Sequence, residues 1–189
     1  LKLAVNTPVS ALVKLPIAQM LREERPRAAH WPGLILEVTE DELVSDINLA
    51  NDVANELRVH DCALAIDDFG AGYSSLARLR QLPFSELKID RAYVTACDHD
   101  RTNADVVEVI VELARRFGLK TVAEGIETTH ESHKLQGIGC HVGQGYLFAK
   151  PMDKAKFSSL LRRRTIADPA ELAREALSQS LPLRANARP

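Results

Sequence analysis

Residues 62–70 read CALAIDDFG. Cys62 to Ile66 are apolar and uncharged, two carboxylates follow at Asp67 and Asp68, and Gly70 offers a turn. A short apolar run bounded in this way is the pattern of a strand buried on both faces, as parallel sheets use them. The arrangement recurs on either side. Upstream stands LILEVTE (34–40), with Glu37 and Glu40. Downstream come LKID (87–90), with Lys88 and Asp90, KTVAEGIE (120–127), with Glu124 and Glu127, and HVGQG (141–145), with Gln144. Stretches of helical periodicity separate these runs, and strand–helix alternation of this kind predicts an α/β fold, a parallel barrel of TIM type. In such a barrel successive strand ends meet on one rim, so acids far apart in sequence face one pocket.

Working outward, LKLAVN (1–6) reads as a strand that starts without a preceding turn or cap, so the expectation is a barrel lacking its opening strands. A helix is predicted over 10–24. Asp46 can cap a second, in which Ile47, Ala50, Val53, Ala54 and Leu57 recur at helical spacing. The glycine-rich GAGYSS leads into a short helix that must stop near Pro83. Further helices are expected over 103–117, closed by Gly118, and over 129–137. Strands at 141–144 and 147–150 bring the strand candidates to seven. The barrel is expected to occupy 1–165, with a helix over 154–164 whose Arg162, Arg163 and Arg164 read as a solvated terminus. Residues 166–189 are expected to form a C-terminal helix, near 169–180, and a disordered Pro/Arg/Ala tail.

The chain has 189 residues, 46% of them hydrophobic and 26% charged, with a net charge of −2. That is ordinary globular usage, and it carries no general attraction to a DNA or RNA polymer or to an anionic membrane. A phosphate ligand must therefore be bound by local groups. Cys62, Cys97 and Cys140 show no paired spacing and read as core thiols of a reducing compartment. With no apolar run of about 18 residues, the expectation is a cytoplasmic protein or the cytoplasmic part of a membrane-anchored one.

Adjacent aspartates at the end of an apolar run repel one another unless a cation neutralises them. An isolated Asp-Asp reads equally well as a cap or turn. Here Glu37 and Glu124 hold equivalent strand ends, which favours a divalent metal on an all-oxygen rim. Lys88, otherwise a surface lysine, points from its strand into the same rim as a charge able to face a phosphate or a water. Asn6, also at a strand end, offers a neutral oxygen.

Six motifs, AVN (4–6), LEVTE (36–40), IDDFGAGYSSL (66–76), LKIDR (87–91), AEGIET (123–128) and QGYLFAKP (144–151), stand in the order and spacing of one family. From Leu1 to about Phe157 the chain resembles the EAL domain, the bacterial phosphodiesterase that opens cyclic di-GMP. The resemblance implies a modified (β/α)8 barrel and hydrolysis to linear pGpG at a two-metal Mg2+ or Mn2+ site, with Ca2+ inhibitory. Carried onto this chain, it implies metal ligands Asn6, Glu37, Asp67 and Glu124, with Asp68 shared between metal and water. Lys88 would orient the water, Glu127 and Gln144 would complete the metal and substrate environment, and Glu40 would anchor the 70–75 loop. It also implies a homodimer and an upstream sensory or GGDEF-type domain.

The family takes its name from a Glu-Ala-Leu strand ahead of the Asn6 position, whose glutamate is a metal ligand; no such strand precedes Asn6 here. The string Glu175-Ala176-Leu177 falls in the expected C-terminal helix and reads as chance, because helices favour all three residues. Thr7-Pro8 replaces the usual Leu-Ser, and Ala71 the usual threonine. Two readings follow: a metal-dependent cyclic di-GMP phosphodiesterase, or a catalytically inactive relative serving as a cyclic di-GMP receptor or protein-interaction module. Retention of the acids favours the enzyme, which in the absence of the Glu-Ala-Leu strand is expected to be weak or inactive.

Overall fold

A computed structural model describes residues 2–25, 31–39, 47–70 and 83–166. Among these described residues six strands form one sheet: β1 (Leu3–Asn6), β2 (Leu34–Thr39), β3 (Cys62–Phe69), β4 (Phe84–Ile89), β5 (Lys120–Ala123) and β6 (Val142–Gly143). Their order across the sheet is their order along the chain, and every neighbouring pair is parallel. Such a sheet with connecting helices is the wall of a TIM-barrel-like fold.

The helices are α1 (Val9–Lys14), α2 (Ile17–Glu24), α3 (Ile47–Arg58), α4 (Arg91–Val94), α5 (Arg101–Phe117), α6 (Thr129–Ile138) and α7 (Lys154–Ile166). The single helix expected over 10–24 is two. Pro16 has no N–H to donate and forces the preceding Leu15 into extended backbone, so the helix stops and restarts. Helix α5 begins two residues earlier than its periodicity suggests, because the Asp100 carboxylate accepts the N–H groups of Thr102 (2.8 Å) and Asn103 (3.3 Å). It closes at Gly118 in the left-handed conformation, φ 69°, as expected. Its buried stripe, Ala104, Val107, Ile110, Val111 and Ala114, follows helical spacing and packs it on the sheet.

Consecutive residues Leu64, Ala65 and Ile66 are all buried, so β3 is covered on both faces as its unbroken apolar run predicts. Leu87 and Ile89 on β4 complete the centre of the core. β1 lies at the edge of the sheet, and its Leu3 and Val5 are exposed. The strand expected at 147–150 is absent: Phe148 donates to the Gly145 carbonyl (3.1 Å) and Leu147 to that of Ile126 (3.0 Å), which makes a turn. The three cysteines are free, with Cys62 and Cys97 buried.

The chain divides into two compact units, Leu1–Ala149 and Lys150–Pro189. In the second, α7 starts where the Asp153 carboxylate accepts the Lys156 N–H at 2.8 Å. Among the described residues no helix is long and apolar enough to cross a membrane. The expected Asp46 cap, the 70–75 loop beyond Gly70, the helix before Pro83 and everything after 166 lie outside the described residues.

Candidate functional site

Side chains alternate along a strand, so residues two apart share a face. Glu37 on β2 is in register with Ala65 on β3, which places Asp67, two residues on, on the same face. Lys88 on β4 is in register with Val122 on β5, so Glu124, just past the strand end, shares the face of Lys88. Four strands thereby deliver four charged side chains to one point. The Lys88 ammonium donates to Glu124 Oε1 at 2.7 Å, Asp67 Oδ1 at 2.8 Å and Glu37 Oε2 at 2.9 Å. Lys88 is only 4% exposed. Burial alone would push its pKa down. Hydrogen bonds to Asp67, Glu124 and Glu37 outweigh that and hold it well above the ordinary lysine value.

Asp68 adjoins this cage. Its backbone is left-handed, φ 53°, and its N–H donates to Asp67 Oδ1 at 3.0 Å. Carboxylate oxygens of Asp67, Asp68 and Glu124 lie within 4.8 Å of one another. Burial, then the neighbouring charges of Asp67 and Asp90, raise the Asp68 pKa. Burial also raises that of Glu124, against the opposing pull of Lys88. Three ionised carboxylates around one ammonium leave two negative charges to be balanced. The ammonium itself marks where a cation sits, and the donors are hard oxygens. The residues therefore fit a divalent ion of the magnesium, manganese or calcium kind.

The other residues picked out from the sequence lie around this centre. Asn6 is in register with Glu37 on exposed β1. Glu127 is turned to Arg91, whose Nη2 donates to its Oε1 at 2.6 Å. Gln144 is exposed, and its backbone ties the end of β6 to the loop after β5: its N–H donates to Ala123 O (2.8 Å) and its carbonyl accepts from Ile126 (3.0 Å). Glu40 lies outside the described residues. Three residues given no role from the sequence belong to the same rim. Asp90 caps α4 through the Ala92 N–H (2.6 Å) and presses on Asp68, Arg91 holds Glu127, and Glu131 is a buried carboxylate. For Glu131 a signal existed, since Thr128 and Glu131 have the spacing of a helix capping box, and the box forms.

The family model of the EAL domain matches residues 1–151. The chain belongs to the EAL domain family. MucR of Pseudomonas aeruginosa, a bifunctional diguanylate cyclase/cyclic di-GMP phosphodiesterase, is 39% identical over 151 residues, which is 79% of this chain and 22% of MucR. This EAL domain thus spans about a fifth of that relative's length. The EAL domain of Mycobacterium smegmatis DcpA matches with a TM-score of 0.75 and 34% identity, covering 85% of this chain and 72% of that one. Klebsiella pneumoniae BlrP1, solved with manganese and cyclic di-GMP, matches with a TM-score of 0.68 and 32% identity, covering 79% and 39%. The same BlrP1 is also known with calcium and cyclic di-GMP.

Proposed function

We propose that the protein carrying this EAL domain hydrolyses cyclic di-GMP to linear pGpG, using Mg2+ or Mn2+ held in pairs. The observation that carries the reading is the Lys88 ammonium caged by Glu37, Asp67 and Glu124, with Asp68 alongside. Asn6, Glu37, Asp67, Asp68 and Glu124 would hold the cations. When bound, such cations neutralise phosphate oxygens and acidify water, the chemistry a resistant phosphodiester requires.

The chain's own residues do the rest. Lys88, fixed by three carboxylates, orients a water for in-line attack on phosphorus; the new P–O bond forms as the bond to the 3′ oxygen breaks. Glu124 and Asp68 stand beside that water as the carboxylates able to take up the proton it releases. Glu127 and Gln144 line the substrate's approach, and Glu40 anchors the 70–75 loop. Ca2+ occupies the site unproductively, because its larger and looser shell misplaces the water. The barrel occupies 1–165, the protein works in the cytoplasm, and an upstream sensory or GGDEF-type domain regulates it. A homodimer forms through the helix after the 70–75 loop and through α5.

The test is pGpG formation by the full-length protein with Mg2+ or Mn2+, followed by chromatography. Lys88→Ala and Glu124→Gln should cut turnover about 100-fold or more and affinity far less, because both act on the reacting water rather than on the bases. Tight binding of cyclic di-GMP with no pGpG under either metal would show a receptor instead.

A further inference from the structure

The loop 124–128, which carries Glu124 and Glu127 away from β5, is gripped from two sides. On one side lies Arg91. Its guanidinium pairs with Glu127, and its aliphatic stem rests on Gly125, where a Cβ would collide with Arg91 Cγ and come within 2.7 Å of Cδ. On the other side is Glu131, in the first turn of α6 and 6% exposed. Its Oε2 accepts the N–H groups of Glu127 and Thr128, both at 3.0 Å. Thr128 Oγ1 accepts the Glu131 N–H in return, at 3.1 Å. That much is a helix cap, and one carboxylate oxygen suffices for it.

The second oxygen does something a cap has no use for. Glu131 Oε1 accepts the N–H of Ala96 at 3.0 Å, across 35 residues. Ala96 stands in left-handed backbone, φ 63°, in the turn that follows α4, the element introduced by Asp90 and Arg91. One buried carboxylate therefore fastens the segment after β4, the strand of Lys88, to the loop that bears Glu124. N–H groups that face a carboxylate are strongly held, and losing the acceptor removes the one partner that all three share.

We propose that Glu131 is a positioning residue, which sets Glu124 against Lys88 and Glu127 against Arg91 by tying the post-β5 loop to the post-β4 turn. The metal part of this inference rests on the function proposed above; the positioning part does not. The experiment uses the full-length protein and three variants, Glu131→Ala, Glu131→Asp and Thr128→Ala, with two readouts. One is Mn2+ affinity by calorimetry. The other is the metal-free 15N resonance of the Lys88 ammonium, which reports the placement of its three carboxylates. Thr128→Ala weakens the cap and leaves every bond accepted by Glu131. Glu131→Asp keeps a carboxylate at the helix start but is one methylene too short to span to Ala96.

Glu131→Ala should weaken Mn2+ binding about tenfold or more, the usual cost of removing a group that orients a ligand, and should shift the Lys88 resonance. Glu131→Asp should do both to a smaller extent, and it carries the test if the alanine variant does not fold. Thr128→Ala should lower the melting temperature while leaving both readouts within error. If the Glu131 variants match Thr128→Ala in both, Glu131 only caps a helix and the inference is wrong. If the parent chain takes up no Mn2+, the metal reading above fails, and the Lys88 resonance alone decides the role of Glu131.

Discussion

Replacing Lys88 by methionine keeps the side chain's length and removes the ammonium shared by Glu37, Asp67 and Glu124. Breaking a buried ion pair by deleting one partner costs about 3–5 kcal/mol, because the remaining charges are stranded. Lys88→Met should lose that much stability in urea unfolding at pH 7. The loss should shrink in acid, where the carboxylates protonate. The pKa of Lys88 is raised on folding, so its stabilising effect is complete below the unfolded-chain value of about 10.4 and fades only as pH rises through the higher folded value. Glu131 has the opposite sign. Although burial disfavours its charge, hydrogen bonds from Ala96, Glu127 and Thr128 depress its pKa. Its contribution is present above the unfolded-chain value of about 4.3 and lost as pH falls through the lower folded one. The stability gap between the parent and Glu131→Gln should therefore be full at pH 7 and vanish in stronger acid, as read from denaturation curves at a series of pH values. At this scale the gathering of Glu37, Asp67, Lys88 and Glu124 on one rim was legible beforehand, because each stands at the end of an apolar run, but the bonding of the Lys88 ammonium to all three acids was not, because it depends on the register of four strands. The Glu131 bond to Ala96 was not, since nothing local marks a backbone N–H 35 residues away as its partner.

Among the elements, the loop after β5 is the most constrained. Gly125 has φ 69° and lies under the stem of Arg91, so an alanine there meets both backbone strain and a collision with inner, stiffer side-chain atoms. Gly125→Ala should cost about 1–3 kcal/mol, seen as a lower melting temperature, with a parallel loss of Mn2+ affinity because Glu124 is its neighbour. Elements with strong local signals were read well: β3 from its apolar run, and α5 from its periodicity and its Gly118 stop. The two failures differ in cause. The residues of the supposed strand at 147–150 are apolar enough, but Gly145 packs so closely on the Ile126 backbone that any side chain would collide, and the chain turns there instead. That contact is tertiary and leaves no trace in local pattern. Pro16 was the opposite case, a local signal strong enough to divide a helix.

For the molecule as a whole, the unbalanced acid cluster predicts that divalent ions stabilise the fold. A ligand at 100 times its dissociation constant adds about 2.7 kcal/mol. Mn2+ or Mg2+ should raise the melting temperature, EDTA should reverse the rise, and Asp67→Asn should abolish most of it, all by differential scanning fluorimetry. Ca2+ should stabilise as well, since stabilisation requires only occupancy and not a correctly placed water.

Because sheet order equals chain order, the balance of charge is also built in a fixed sequence in time. In a chain emerging from the ribosome β3 joins β2 before β4 is available, bringing Glu37 and Asp67 toward the same point with no cation between them. That half-formed sheet is held by Leu36, Leu64 and their neighbours while its acids repel. Relief comes only when β4 delivers Lys88 beside them, and the last acid, Glu124, arrives after the cation is in place. Until the strand of Lys88 has joined them, β2 and β3 therefore hold two like charges with no counter-charge between them, and that partial sheet is weaker than its apolar contacts alone would make it.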